Sequence, residues 1–87
     1  DGQVALVTGA SAGIGRAIAA ELLGLGADLL LVARDETALE ATRSELEDEF
    51  PEARVRAFPA DVSDAEQRRE IFDWVEDLGE GLQLLVN

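Results

Sequence analysis

Val4-Ala5-Leu6-Val7-Thr8-Gly9-Ala10-Ser11-Ala12-Gly13-Ile14-Gly15 begins as a short apolar run and ends in three closely spaced glycines. Four consecutive apolar residues halted by Thr8-Gly9 suit a strand buried on both faces of a parallel sheet. From Gly13 onward Ile14, Ile18, Leu22 and Leu25 recur at helical spacing, and Gly24 and Gly26 bracket a stop. A strand, a glycine turn and a helix in that order put free N–H groups and the positive end of a helix where a diphosphate can meet them. Gly9 permits the tight turn, Gly13 removes a side chain where the diphosphate must approach, and Gly15 lets the helix pack closely on the sheet. A P-loop is excluded, because Gly15 is followed by Arg16-Ala17 and no Gly-Lys-Ser/Thr occurs.

The pattern continues to the end of the chain. Leu29-Leu30-Leu31-Val32 is a second buried strand, followed by a helix whose Leu39, Thr42, Leu46 and Phe50 share a face until Pro51 ends it. Val55-Arg56-Ala57-Phe58 is a weaker third strand. Ser63 with Glu66 three residues on reads as a capping box, leading into Ile71, Val75 and Leu78 on one helical face and a stop near Gly79 and Gly81. Leu82 to Val86 is a fourth strand. The order β-α-β-α-β-α-β with short connections predicts an α/β fold, a partial Rossmann-type doubly wound parallel sheet with right-handed crossovers and strand order 3-2-1-4. Ligands bind such sheets beyond the carboxyl ends of the strands, at the switch point between strands one and four, so the site is expected over Gly9, Arg34, Asp61 and Asn87.

Composition narrows the functions available. The 87 residues make one compact unit with no room for a second catalytic domain. With no Cys and no His there is no disulfide, thiolate nucleophile or Cys-based zinc site, and the commonest general base is missing. Seven Arg, no Lys and nineteen acids give a net charge of −12, which repels nucleic acid and anionic membranes, so any polyanion must be held by local features. The Lys-free, acid-rich surface fits either a coding bias or adaptation to high salt. No apolar run approaches the roughly 18 residues of a membrane span and no secretory signal opens the chain, so a soluble, cytoplasmic protein is expected. The chain starts without Met and stops directly after an apolar run, which reads as a piece of something longer, residues 1–87 being the amino-terminal part of a single dinucleotide-binding domain.

The glycine spacing, G-x-x-x-G-x-G, departs from the G-x-G-x-x-G of the common dinucleotide fingerprint. T-G-x-x-x-G-I-G over Thr8–Gly15 resembles the short-chain dehydrogenase/reductases instead. The resemblance runs through Asp61-Val62, similar to that family's adenine-contacting pair, to Leu85-Val86-Asn87, similar to the start of its N-N-A-G motif. Val32-Ala33-Arg34-Asp35 and Gly81 to Asn87 look most like the tropinone-reductase-like members. The resemblance implies Gly9, Ser11, Gly13, Ile14 and Gly15 around the phosphates, Asp61 accepting from the adenine amino group, Val62 beside the ring, and Asn87 near the adenine ribose. It also implies a small alcohol or carbonyl substrate and a homo-oligomeric full-length protein. Asp61 has a rival reading as a turn or cap residue, although Ser63 as the cap would leave it free. The Thr8 hydroxyl either ties the turn to neighbouring backbone or contacts the ligand.

Cofactor choice turns on the end of strand two, where an acid bonds the ribose hydroxyls and a cation accepts a 2′-phosphate. The position reads Ala33-Arg34. Asp35 falls where a helix N-cap is expected, and Asp28 is at the wrong end of its strand. Arg34 can pair bidentately with a phosphate and Ser11 can add a hydroxyl, which predicts NADP(H) over NAD(H). Against this, the family's second basic position, just before Gly13, is Ala12. Arg16 reads as a solvated helix residue, and Glu45, Glu47, Asp48 and Glu49 as a solvated face. Hydride transfer in the family relies on a Ser with Tyr-x-x-x-Lys farther along, and this sequence has no Tyr and no Lys. No catalytic residue and no metal ligand is therefore assigned, and the chain alone is expected to turn over nothing. The readings from other classes are a nucleotide-binding half-Rossmann module without chemistry and, more weakly, a methyltransferase binding S-adenosylmethionine, which would want an acid at the end of strand two.

Overall fold

The computed structural model describes residues 3–11, 13–79, 81 and 84–86. Among the described residues three helices alternate with four strands: Val4–Thr8 (β1), Gly13–Gly24 (α1), Asp28–Ala33 (β2), Glu36–Glu49 (α2), Val55–Pro59 (β3), Ala65–Leu78 (α3) and Leu84–Val86 (β4). Leu82 and Gln83 of the expected fourth strand lie outside the described residues. All pairings are parallel and the strands line up as β3-β2-β1-β4, with Leu6 opposite both Leu30 and Leu85.

Because β1 and β2 are covered on both sides, their apolar runs are continuous, and alternate residues enter two separate cores. Ala5, Val7, Leu29 and Leu31 pack with Ala19 and Leu23 of α1 and Leu39 and Leu46 of α2. On the opposite face Val4, Leu6, Leu30 and Val32 pack with Ile71 of α3, flanked by Phe58 and Trp74, whose rings stack at 5.1 Å. Leu29, Leu31, Val7 and Val32 are all fully buried.

The buried face of α1 differs from the one its large residues suggest. Ile14 and Leu25 are 80% and 77% exposed, while Ala19 and Leu23 are buried. The inward face is set at Gly15 because α1 comes very close to the glycine turn: a Cβ on Gly15 would stand 2.2 Å from the carbonyl oxygen of Gly9. A helix held that near a backbone presents its Gly15-Ala19-Leu23 stripe inward and rotates Ile14 out, while Leu25 falls just past the end of α1 at Gly24.

The start of α3 also differs from the expected capping box. Asp64, in extended backbone, is the N-cap, and its carboxylate accepts from the amides of Glu66 at 2.8 Å and Gln67 at 3.2 Å. Ser63 is one residue too early, and its hydroxyl is spent on Asp61. At α2 the expected cap holds, with Asp35 accepting from the Ala38 amide at 3.0 Å. Asp28, at the amino end of β2, accepts from the Arg54 amide and so braces β3.

Candidate functional site

Backbone ties bring the carboxyl ends of β1, β2 and β3 together. The Gly9 amide donates to Val32 at 2.8 Å and the Ala60 amide to Ala33 at 2.9 Å, so the turn after β1 and the turn after β3 both hang on β2. Over these ends lies a cavity of about 290 Å³ lined by Gly9 and Ser11 from the first turn, Arg34 and Asp35 after β2, and Asp61 and Val62 after β3. Gly13, Ile14 and Gly15 form the first turn of α1, adjacent to the lining. Asn87 lies outside the described residues.

Gly9 and Gly13 have φ of +66° and +60°, the left-handed region that favours glycine, and a Cβ on either would meet only open space. The turn thus exposes backbone where a side chain would stand. No acid occupies the first turn of α1, whereas α2 and α3 each carry an Asp cap and a Glu there. The positive end of α1 is therefore not neutralised by its own first turn, unlike the other two. Two exposed apolar side chains, Ile14 and Val62, stand beside these polar groups. An anion flanked by flat apolar groups suits such a surface. A wider hollow of about 520 Å³ opens by Leu23 and Phe50, but its lining holds Asp28, Glu49 and Glu52 and no cation, so it repels phosphates.

Asp61 is not free, as the sequence suggested. Its Oδ1 accepts from the Ser63 hydroxyl at 2.7 Å and the Ser63 amide at 2.9 Å, so both the turn role and the cavity position belong to it. The Ser63 hydroxyl first, then its amide, hold the Asp61 carboxyl below the usual carboxylate value, and the charge of Arg34 acts in the same direction. A depressed folded value makes this contribution present at neutral pH and lost as the pH falls through that value. Ser63→Ala should raise the Asp61 value toward that of a free aspartate, read by carboxyl NMR titration, and an unshifted titration would refute the assigned cause.

The sequence reading missed several supports of the site. Thr42, buried in α2, donates its hydroxyl to the Ser11 carbonyl at 3.3 Å. Arg16 is not merely solvated: it pairs with Glu45 at 2.8 Å and joins α1 to α2. Glu47 likewise pairs with Arg43 at 2.6 Å, so the acidic face of α2 is partly neutralised. Both pairs are substantially exposed and worth at most about 1 kcal/mol each. Gln67 and Arg68 reach back from α3 to the Asp61-Val62 turn. A polar residue at a core position, as Thr42 is, was the only advance signal. Among the described residues no helix is long and apolar enough to cross a membrane.

The family model for short chain dehydrogenase matches residues 3–87. A chloroplastic tropinone reductase homolog of Arabidopsis thaliana is 44% identical over 88 residues, covering 100% of this chain and 27% of that protein. The NAD(+) 15-hydroxyprostaglandin dehydrogenase of Bos taurus is 41% identical over 87 residues, covering 100% and 33%. Among solved structures, L-sorbose reductase from Gluconobacter frateurii complexed with NADPH and L-sorbose matches with a TM-score of 0.94 at 36% identity, covering 100% of this chain and 33% of that one. The chain spans 20% to 35% of the length of the curated relatives it matches.

Proposed function

The chain belongs to the short chain dehydrogenase family, and from that premise we propose that it is the NADP(H)-binding part of an oxidoreductase interconverting an alcohol and a carbonyl. The observation that carries the cofactor choice is Arg34, a cation lining one cavity with Gly9, Ser11 and Asp61. Gly9, Ser11, Gly13, Ile14 and Gly15 hold the diphosphate by backbone amides and the end of α1. Arg34, with the Ser11 hydroxyl, takes the 2′-phosphate. Asp61 accepts from the adenine amino group and Val62 covers the ring.

Once bound, the dinucleotide supplies the hydride donor or acceptor. The residues of this chain bind and orient it. With no Tyr and no Lys in these 87 residues, the groups that move the proton belong to other parts of the protein, and residues 1–87 are the amino-terminal part of one dinucleotide-binding domain. Identity of 44% to the tropinone reductase homolog supports a tropinone-reductase-like member, whereas the substrate is left to the segments that would surround the nicotinamide.

Calorimetric titration of the full-length protein with NADPH and with NADH tests the reading. Tighter binding of NADPH is expected. A protein that prefers NADH loses the assigned role of Arg34, and one that binds neither loses the whole proposal.

A further inference from the structure

Between β3 and α3 the chain runs Ala60-Asp61-Val62-Ser63-Asp64, and α3 itself grips this turn. The Gln67 side chain accepts from the Asp61 amide through Oε1 at 2.7 Å, and Arg68 donates through Nη1 to the Val62 carbonyl at 2.7 Å. Gln67 is the third residue of α3, counting from its Asp64 cap. In a capping box a Gln in that place folds back onto the amide of the cap residue. Here the Asp64 amide is taken by the Asp61 carbonyl at 3.1 Å, and Gln67 reaches three residues farther back. The longer reach does nothing for the helix end. It fixes the peptide plane that leads into Asp61, while Arg68 fixes the one that leaves Val62. The two Ser63 bonds both fall on Oδ1 of Asp61, so Oδ2 is the acceptor available to a ligand.

We infer that Gln67 is a positioning residue for base recognition, aiming Asp61 Oδ2 at the exocyclic amino group of the bound adenine. The assignment rests on the dinucleotide reading of this cavity. Its consequence is a preference between bases: adenine offers an N–H donor at that position, whereas hypoxanthine offers a carbonyl oxygen that faces the carboxylate as acceptor against acceptor. Gln67 touches no ligand atom in this arrangement, so its effect shows in the ratio of the two affinities.

The experiment uses the full-length protein and two probes, NADPH and its hypoxanthine analogue, titrated calorimetrically against wild type, Gln67→Leu and Gln67→Glu. Wild type should favour the adenine form by about tenfold or more, the value of one hydrogen bond to a charged group. Gln67→Leu should reduce that ratio to within about threefold, as expected when such a bond loses its alignment. Gln67→Glu keeps an acceptor oxygen for the Asp61 amide and should restore it. Equal weakening of both probes by Gln67→Leu, with the ratio kept, would show a merely structural residue and overturn the assignment. So would a Gln67→Glu variant that fails to restore the ratio while folded by circular dichroism. A wild type that binds both probes equally overturns the aim of Asp61 but leaves the cofactor reading standing. One that binds neither overturns both.

Discussion

Gly15→Ala is expected to destabilise the protein by about 3 kcal/mol or more, the upper range for overpacking, and to remove dinucleotide binding with it. The added Cβ would stand 2.2 Å from the Gly9 oxygen, 2.8 Å from the Gly9 carbonyl carbon and 3.2 Å from the Ala10 Cα. All three are backbone atoms, so no rotamer change relieves the contact. The turn cannot simply yield, because the Gly9 amide is tied to Val32 of β2, and α1 cannot lift without uncovering Ala19 and Leu23. Alanine does raise helix propensity over glycine by about 1 kcal/mol, which falls short of the clash. Gly9→Ala makes the informative contrast. Its Cβ would meet nothing, and the cost is only the roughly 1–2 kcal/mol of a left-handed alanine. Denaturant unfolding of both variants checks the order, and a Gly15→Ala midpoint equal to wild type would mean that the close approach is not required.

Much of this fold was legible because parallel strands covered on both faces write themselves as unbroken apolar runs. Val4–Val7 and Leu29–Val32 have few other readings. The glycine turn was legible for a related reason: Gly9 and Gly13 need left-handed backbone and Gly15 needs the absence of a side chain, demands that few residues meet. The buried face of α1 was not, since hydrophobic spacing ranks Ile14 above Ala19, while the actual constraint is the distance between two backbones. The α3 cap was misread by one residue because Ser63 and Asp64 are both good caps, and the choice depends on Asp61 claiming the Ser63 hydroxyl first. Supports such as Thr42 on Ser11, 31 residues apart, have no local pattern at all. Contacts of that kind exist only once the sheet order has brought distant segments together.

Arg34→Ala should weaken NADPH about ten- to a hundredfold, the cost of roughly 1.5 to 3 kcal/mol for a lost hydrogen bond to a charged group, and leave NADH nearly unchanged. The asymmetry follows from the 2′-phosphate, which only NADPH carries. In a chain of net charge −12, general electrostatics oppose a polyanion, so its discrimination must come from a local cation, and Arg34 is the cation lining this cavity. Because Arg34 is exposed, salt should shrink the effect, and titrations at two ionic strengths separate a screened contact from a buried one. Adding Ala33→Asp should invert the preference, since a carboxylate accepts from the ribose hydroxyls and repels the phosphate. That second change is not free. Ala33 lines the cavity but is only 7% exposed and belongs to the core shared by α1 and α2, so part of the carboxylate loses water and the double variant should also unfold earlier. Affinity ratios are therefore the proper measure, taken by calorimetry at a temperature where both variants remain folded. Equal losses for NADPH and NADH in Arg34→Ala would reduce Arg34 to a support of the turn and return the cofactor assignment to the NAD-dependent relatives.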